Sequence, residues 1–563
     1  TPFTMADFAL LDDVLKVITV YLTTIQIVLI AAAILVVLVS LVLTFIFMPK
    51  HKQKINYKKS AIAVLIIMLS MAGLTGIAID RNWVSVVFGN LNYAYRDFGV
   101  PYCFVNTWLN TGISKPIVYS REEILSIFNP IELQGNLVAD ANSEIKSDSS
   151  KTQPNIVMVQ LESFFDPTTM KGVTFSRDPV PNFRKLKGSN STGYMIVPTI
   201  GAGTANTELE VLSGMSTRFF GPGEYPYKTV LKKKTVETIA YDLKNLGYST
   251  HAIHNHRGDF YGRNKVFANM GFDTFTSVEY MNQVTRTPKN FEQDKLLAGE
   301  ILSTLKSTAN RDFIYTISVQ GHGSYPTTKV YENPTITASG ISVESDAYAL
   351  EYYLQQVRDE DALIGDLVEA IKNFDEDTIL VIYGDHLPPL NVSNNDLTTH
   401  NVFKEQYVMW SNFPMPVEDK NLYSYQLGAE VLNRLGIHEG YITKYHQDHS
   451  KDTLYLPNLK ALQYDMLYGK EYLFNGKSPF SSTKLKMGIK DIKVDKVVKV
   501  GSKYYIKGEN FTPYSKISLN GEILKTIYLG PSVLGLLEKV NPNDVKNMRV
   551  SQVEKHSILS TSE

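Results

Sequence analysis

Several polar residues sit where apolar runs stop. Glu162 closes the run IVMVQLE, and Asp385 and His386 close TILVIYGDH. A Glu, an Asp and a His delivered by separate strand ends can converge on one divalent cation. Imidazole with carboxylates suits zinc or manganese, and the residue types do not choose between them. An acid at a strand end can also be a solvated terminus. Between these runs, PTIGAGTANTELEVLSGM places Gly201 and Gly203 just ahead of Thr204, where a helix begins. Glycine lets the backbone approach a ligand closely, and a helix N-terminus favours anions such as phosphate. Thr204, followed by Thr207 and Glu208, also reads as an N-cap; capping and catalysis are compatible.

HAIHNHRGDFYGR adds His254, His256, Arg257, Tyr261 and Arg263, and SVQGHGSYP adds His322. Histidines 254, 256, 322 and 386, four of eleven, follow strand-like runs, which predicts a shared pocket.

The elements that must carry these residues alternate in type. IVMVQLE, YSTHAIH, FIYTISVQ and TILVIYGDH read as buried strands. TVETIAYDLKNLG and ALEYYLQQVRDEDALIGDLVEAIKNF read as helices. Such alternation over residues 155–472 predicts an open α/β sheet with its active residues at the carboxyl ends of strands. Residues 473–563 alternate polar and apolar positions, with a hairpin signal at Asn520-Gly521. They predict a small β-rich domain or two hairpins packed on the main domain, then a polar tail near Ser557.

Residues 17–48 and 61–79 carry no charge. Each is long enough to cross about 30 Å of hydrocarbon as a helix, and neither shows the polar face of a soluble helix. Lys50, Lys52, Lys54, Lys58 and Lys59 lie between them. Lysine-rich short loops stay in the cytoplasm, so the chain after about residue 80 is expected outside. Residues 81–154 read as an aromatic, helical juxtamembrane stretch followed by a polar linker over 134–154. That linker holds Ala139-Asp140-Ala141, a small-residue string of cleavage-site type. The first residue is Thr1, which reads as a fragment or a processed product. A net charge of −1 over 563 residues gives no sign of a nucleic-acid partner. Cys103 is the one cysteine, which excludes an intrachain disulfide and a cysteine zinc site and reads as a small buried hydrophobe.

Taken in order, LES at 161–163, GAGTANTE at 201–208, HNHRGDFYGR at 254–263, QGH at 320–322 and YGDH at 383–386 resemble the lipoteichoic acid synthases and related phosphoglycerol transferases. These belong to the alkaline phosphatase and sulfatase superfamily. The resemblance covers about 155–470 and the preceding spans. It implies an alkaline-phosphatase-like catalytic domain behind N-terminal transmembrane helices, in a multi-pass protein of a Gram-positive cell membrane acting in cell-wall biogenesis outside the cytoplasm. It implies one divalent ion, Mn2+ first with Zn2+ or Mg2+ as alternatives, on Glu162, Thr204, Asp385 and His386. Thr204 is then the nucleophile, and His254, Tyr261, Arg263 and His322 meet the glycerophosphate head. His322 and Arg263 would assist the chemistry. The implied donor is phosphatidylglycerol, and the acceptor is a glycolipid or teichoic-acid-type polymer. Family members often carry Trp where Tyr261 stands, and T-S-D-A-E where this chain has Thr204-Ala205-Asn206-Thr207-Glu208. Phosphoethanolamine transfer or phosphodiester hydrolysis is the enzymatic alternative, and a non-catalytic envelope-binding protein the other. Sulfatase chemistry needs a modified Cys or Ser, which Thr204 cannot become.

Overall fold

The computed structural model describes residues 4, 7–8, 22–48, 56–81, 83, 91–128, 153–554 and 557–562. The chain divides into two compact units: Thr1–Ser114 with Phe219–Tyr225, and Lys115–Arg218 with Pro226–Glu563.

In the first unit, α1 spans Thr24–Phe47 and α2 spans Tyr57–Asp80. α1 begins at a capping box, Thr23 with Gln26. Its 24 residues make a rod about 36 Å long. Neither helix buries the apolar window that would cross a bilayer. Large side chains such as Leu35, Val36, Ile66 and Leu69 stand more than half exposed, which suits contact with lipid rather than water. α2 starts four residues before the apolar run, taking Lys58 and Lys59 into its first turn. Short helices Leu91–Phe98 and Val100–Leu109 follow. Cys103 is buried between them and its Sγ donates to the Ala94 carbonyl (3.2 Å), the small-hydrophobe role its isolation predicts. Most of the 134–154 linker, including Ala139-Asp140-Ala141, lies outside the described residues.

The second unit is built on β1 Asn155–Leu161, β2 Thr174–Phe175, β3 Ser191–Ile196, β4 Ser249–His254, β5 Thr274–Ser277, β6 Asp312–Ile317, β7 Ala338–Ser339, β8 Thr378–Gly384, β9 Lys404–Ser411, β10 Leu422–Tyr423 and β11 Lys486–Met487. All but the β2–β7 ribbon join one sheet in the order β10-β3-β9-β8-β1-β6-β4-β5-β11. β1 is central and parallel to both β8 and β6, and β6 is parallel to β4. β9 runs antiparallel to β8. Every residue of β1, β6 and β8 is buried, as a sheet covered on both faces requires.

Two further helices matter to the site. α3 is Thr204–Ser213 and α4 is Glu344–Lys372. α4 turns Leu350, Leu354, Val357, Ile364, Leu367 and Ile371 inward at helical spacing, into one core with Val157, Val159, Leu380 and Ile382. Each such side chain stabilises the fold by roughly 1.5–3 kcal/mol.

Beyond residue 490 the chain makes two four-stranded sheets. One contains β12 Lys493–Val500, β13 Lys503–Glu509, β17 Val533–Leu536 and β16 Thr526–Gly530. The other contains β15 Glu522–Ile523, β14 Ser515–Leu519, β18 Met548–Glu554 and β19 Ser557–Thr561. Ile506, Phe511, Ile517, Leu534, Leu536, Met548 and Val550 form their shared core. Asn520 (φ 51°) and Gly521 (φ 87°) make the tight turn between β14 and β15. The polar tail expected from Ser557 is instead β19. It pairs with β18, and Ser560 bonds to the Tyr280 hydroxyl (2.6 Å). Backbone pairing, which side-chain polarity does not report, decides that segment.

Candidate metal centre and its surroundings

Four neighbouring parallel strands, β8, β1, β6 and β4, end on one edge of the sheet, and the polar residues follow their ends. Glu162 comes directly after β1, and Asp385 and His386 directly after β8. Ligand-capable atoms of these three residues all lie within 4.8 Å of one another, and all three are buried. His386 Nε2 is 3.6 Å from Glu162 Oε1 and 3.4 Å from Asp385 Oδ2. Ser163, at φ 56°, turns the chain sharply after Glu162. Its N–H donates to Asp385 Oδ1 (2.7 Å) and its hydroxyl to Glu162 Oε1 (3.1 Å). The Glu162 N–H donates to Ser318 Oγ (2.8 Å), which ties the end of β1 to the end of β6.

Asp385 Oδ2 and His386 Nε2 are buried with no hydrogen-bond partner. Burial, followed by the Glu162 carboxylate, raises the Asp385 acid well above its ordinary value. Burial lowers His386, against the pull of Glu162. Two buried carboxyl groups that act on each other, beside an imidazole whose Nε2 makes no hydrogen bond, are what a divalent cation would satisfy. The donor set therefore fits a metal ion.

Thr204 is the first residue of α3, and Gly203 (φ 104°) takes the N-cap position without any side-chain cap. The N-cap reading of Thr204 is thus corrected. Its hydroxyl turns inward and donates to Glu162 Oε2 (3.0 Å). Gly203 is required here: a Cβ would fall 2.8 Å from the Thr199 side chain, in a conformation L-residues rarely adopt. Thr207 does not cap either; its hydroxyl donates to the Asp385 carbonyl (2.8 Å).

His254 ends β4 and His322 lies in the loop after β6. His254 is buried, with Nδ1 against the Ile317 carbonyl (3.0 Å). That bond makes Nδ1–H the donor and Nε2 the acceptor. Burial, then the Arg263 charge and the His256 ring, holds its pKa well below the ordinary value. His322 stacks on Phe291 (4.8 Å between centroids) and its Nδ1 bonds to the Gly323 carbonyl. Burial lowers it, Glu162 raises it, and His256 and His386 lower it further. The His254 and His256 ring centroids are 5.9 Å apart. His256 itself is held by Glu292 (2.8 Å).

Arg263 differs from expectation. Its fork does not stand open to a ligand: Nε and Nη2 bind the two oxygens of buried Glu208 (3.1 and 2.5 Å). Nη1 is the buried atom left without a partner. Tyr261 (φ 56°) lays its ring 5.2 Å from the guanidinium.

Sequence reasoning singled out Arg257 but not the acids that hold this arrangement. Asp294 accepts from Asn255 Nδ2 (2.7 Å), Val319 N (3.1 Å) and Gln320 N (3.2 Å), so one carboxylate ties both histidine loops. Arg257 pairs with Asp259 (3.2 Å) and with Glu554 of β18 (2.9 Å), and Ser557 of β19 bonds to Asp259 (3.0 Å). Only tertiary contact reveals these partners. The signal present in the sequence was an unexplained acid near each loop.

A family model described as Sulfatase matches residues 154–437. A protein of Rhizobium meliloti (strain 1021) named for cyclic beta-1,2-glucan modification is 30% identical over 362 residues, 57% of this chain and 56% of that protein. Capsular polysaccharide biosynthesis protein RkpI of the same organism is 26% identical over 243 residues, 42% of each chain. The chain thus spans about half the length of the curated relatives it matches. Among solved structures, phosphoglycerol transferase GacH of Streptococcus pyogenes, in complex with sn-glycerol-1-phosphate, superposes with a TM-score of 0.55 at 24% identity. That match covers 66% of this chain and all of the other. With the open sheet, the buried Glu, Asp and His gathered at its strand ends and a family match over half its length, this chain belongs to the sulfatase family of the alkaline phosphatase superfamily.

Proposed function

We propose that this chain is a membrane-anchored phosphoglycerol transferase working outside the cytoplasm. It would take glycerophosphate from phosphatidylglycerol and pass it, through Thr204, to an envelope polysaccharide or glycolipid. The observation that carries this reading is the Thr204 hydroxyl. It is freed from capping by Gly203 and aimed into the Glu162, Asp385 and His386 cluster.

Glu162, Asp385, His386 and Thr204 would hold a divalent ion, Mn2+ or Zn2+ with Mg2+ a further option, whose positive charge would favour the alkoxide form of the threonine. The Thr204 oxygen attacks the donor phosphorus as its proton passes to Glu162, which already accepts its hydrogen bond. The bond from phosphorus to the diacylglycerol oxygen breaks, and that oxygen takes a proton from His322. His254, whose Nδ1–H is committed to the Ile317 carbonyl, offers Nε2 to accept from a glycerol hydroxyl. The Nη1 of Arg263 supplies one hydrogen bond to a phosphoryl oxygen rather than a two-pronged clamp. An acceptor hydroxyl, giving its proton to His322, then attacks the phosphothreonine; the bond from phosphorus to the Thr204 oxygen breaks, and that oxygen recovers its proton from Glu162.

The glycerophosphate class draws support from GacH, solved with sn-glycerol-1-phosphate. The polysaccharide acceptor draws support from the two relatives named for glucan modification and capsule synthesis. Against an ethanolamine head, the one acid of the 254–263 loop, Asp259, is engaged by Arg257 and Ser557. Topology rests on α1, α2 and the lysines between them.

Diacylglycerol release from matched vesicles of phosphatidylglycerol or phosphatidylethanolamine tests the donor. Faster release from phosphatidylglycerol is expected, and the reverse order would replace this reading with phosphoethanolamine transfer.

A further inference from the structure

The sheet β12-β13-β17-β16 has two faces. Ile506 and Leu534, paired across β13 and β17 and fully buried, mark the inward one. Positions one residue along point outward. There Lys496 stands opposite Lys507, Val498 opposite Tyr505, and Val500 opposite Lys503. Ile527 stands opposite Gly535. A Cβ on Gly535 would fall 2.9 Å from Ile527 Cγ2 and 3.5 Å from both Leu529 Cδ1 and Tyr505 Cε1. Those three side chains therefore share this face. Ile527, Leu529 and Val500 are 43%, 53% and 61% exposed.

Two properties set this face apart from an ordinary solvated sheet. Large apolar side chains are exposed together, which marks an interaction surface. Lysines 496 and 507 sit directly opposite each other, an arrangement that repels. The nearest acids along these strands are Asp495, at the bulge before Lys496, and Glu538, which accepts from the Lys525 N–H; among the described residues neither pairs with Lys496, Lys503 or Lys507. Glu509, at the end of β13, is taken by Lys493 (3.6 Å).

Lysines that lack acid partners, set around exposed Ile, Leu, Val and Tyr, complement a surface that is anionic outside and apolar beneath. The ammonium groups would reach phosphates while their stems and the apolar side chains enter the interface. We infer that the outer face of β12-β13-β17-β16 docks on a bilayer containing anionic phospholipid. A soluble polyanion would satisfy the lysines and leave the apolar platform unused.

The test uses the full chain with Cys103→Ser and Ile527→Cys carrying an environment-sensitive fluorophore. It is reconstituted in phosphatidylcholine vesicles with or without phosphatidylserine, a lipid outside the proposed reaction. The expected result is a blue shift, with quenching by spin-labelled lipid, only where phosphatidylserine is present. Lys496→Gln, Lys503→Gln and Lys507→Gln should each weaken docking by roughly fivefold. A probe at Glu522→Cys, on the other sheet, should stay unshifted. An unshifted probe at 527 in phosphatidylserine vesicles overturns the inference. So does an equal shift at 522, or a shift at 527 that a soluble polyanion produces without phosphatidylserine.

Discussion

Glu208 and Arg263 are joined by two parallel hydrogen bonds in the interior, at 0% and 1% side-chain exposure. Removing one partner strands the other as a buried charge. Glu208→Gln should therefore cost about 3–5 kcal/mol, read as a fall in thermal stability. The double variant Glu208→Gln, Arg263→Gln should be less damaged than the single effects summed. Strict additivity would mean that the pair does not act as a unit.

Thr204 can be changed without disturbing its helix, because Gly203 holds the cap position. Thr204→Ala should keep stability within about 1 kcal/mol of the parent while the covalent phosphothreonine disappears from intact-mass spectra. Thr204→Ser should retain the adduct. Undiminished lipid cleavage by the alanine variant would assign the attack to water.

Metal binding should appear in stability as well as turnover. A divalent ion at a hundred times its dissociation constant should stabilise the parent by about 2.7 kcal/mol. Asp385→Ala should not respond, since Asp385 Oδ2 is one of the two unpartnered atoms of the cluster. An equal response from both proteins would move the metal elsewhere.

His446 supplies a pH dependence away from the centre. Its Nε2 faces the Gly214 carbonyl and its Nδ1 the Tyr455 hydroxyl (both 2.7 Å), and burial lowers its pKa from 6.5 to about 4. The unfolded chain takes up this proton first. The stability His446 contributes is therefore complete above pH 6.5 and lost as pH falls toward 4. Its full extent is about 3 kcal/mol. In denaturant titrations, His446→Gln should flatten the slope of stability against pH in that window by about one proton. An unchanged slope would show that the folded protein admits the proton.

Asp294→Ala removes the acceptor shared by Asn255, Val319 and Gln320. Each buried donor left unsatisfied costs roughly 1–3 kcal/mol. Both histidine loops should loosen, so KM for phosphatidylglycerol should rise several-fold more than in Asp294→Asn, which keeps an oxygen in place. Equal kinetics for the two variants would confine Asp294 to the fold.

Glu162, Asp385 and His386 were legible because β-branched, apolar strands end abruptly on ligand-type residues, and parallel strands bring their ends together. Thr204 was legible as a helix start, but its cap was misread. A threonine and a glycine both suit that position, and only the direction of the hydroxyl separates them. Arg263 was expected to meet the glycerophosphate head, because Glu208, 55 residues earlier, gives no local sign of its partnership. β19 and the two-residue β11 were hidden for a related reason. Each is defined by the backbone it pairs with rather than by its own pattern.

The pairing of β1 with β8 carries a consequence for biosynthesis. Ser163 and Asp385, in direct hydrogen bond, are 222 residues apart in the chain. β8 must insert beside β1 before Glu162 can meet Asp385, and contacts of such long sequence separation form late. On the proposed topology, a chain emerging from a membrane channel would expose Glu162 long before Asp385 had followed it. Its ligand set could not close during translocation. Cation capture would then belong to the mature side of the membrane, where the ion supply of that compartment, and not of the cytoplasm, would decide which metal the protein carries.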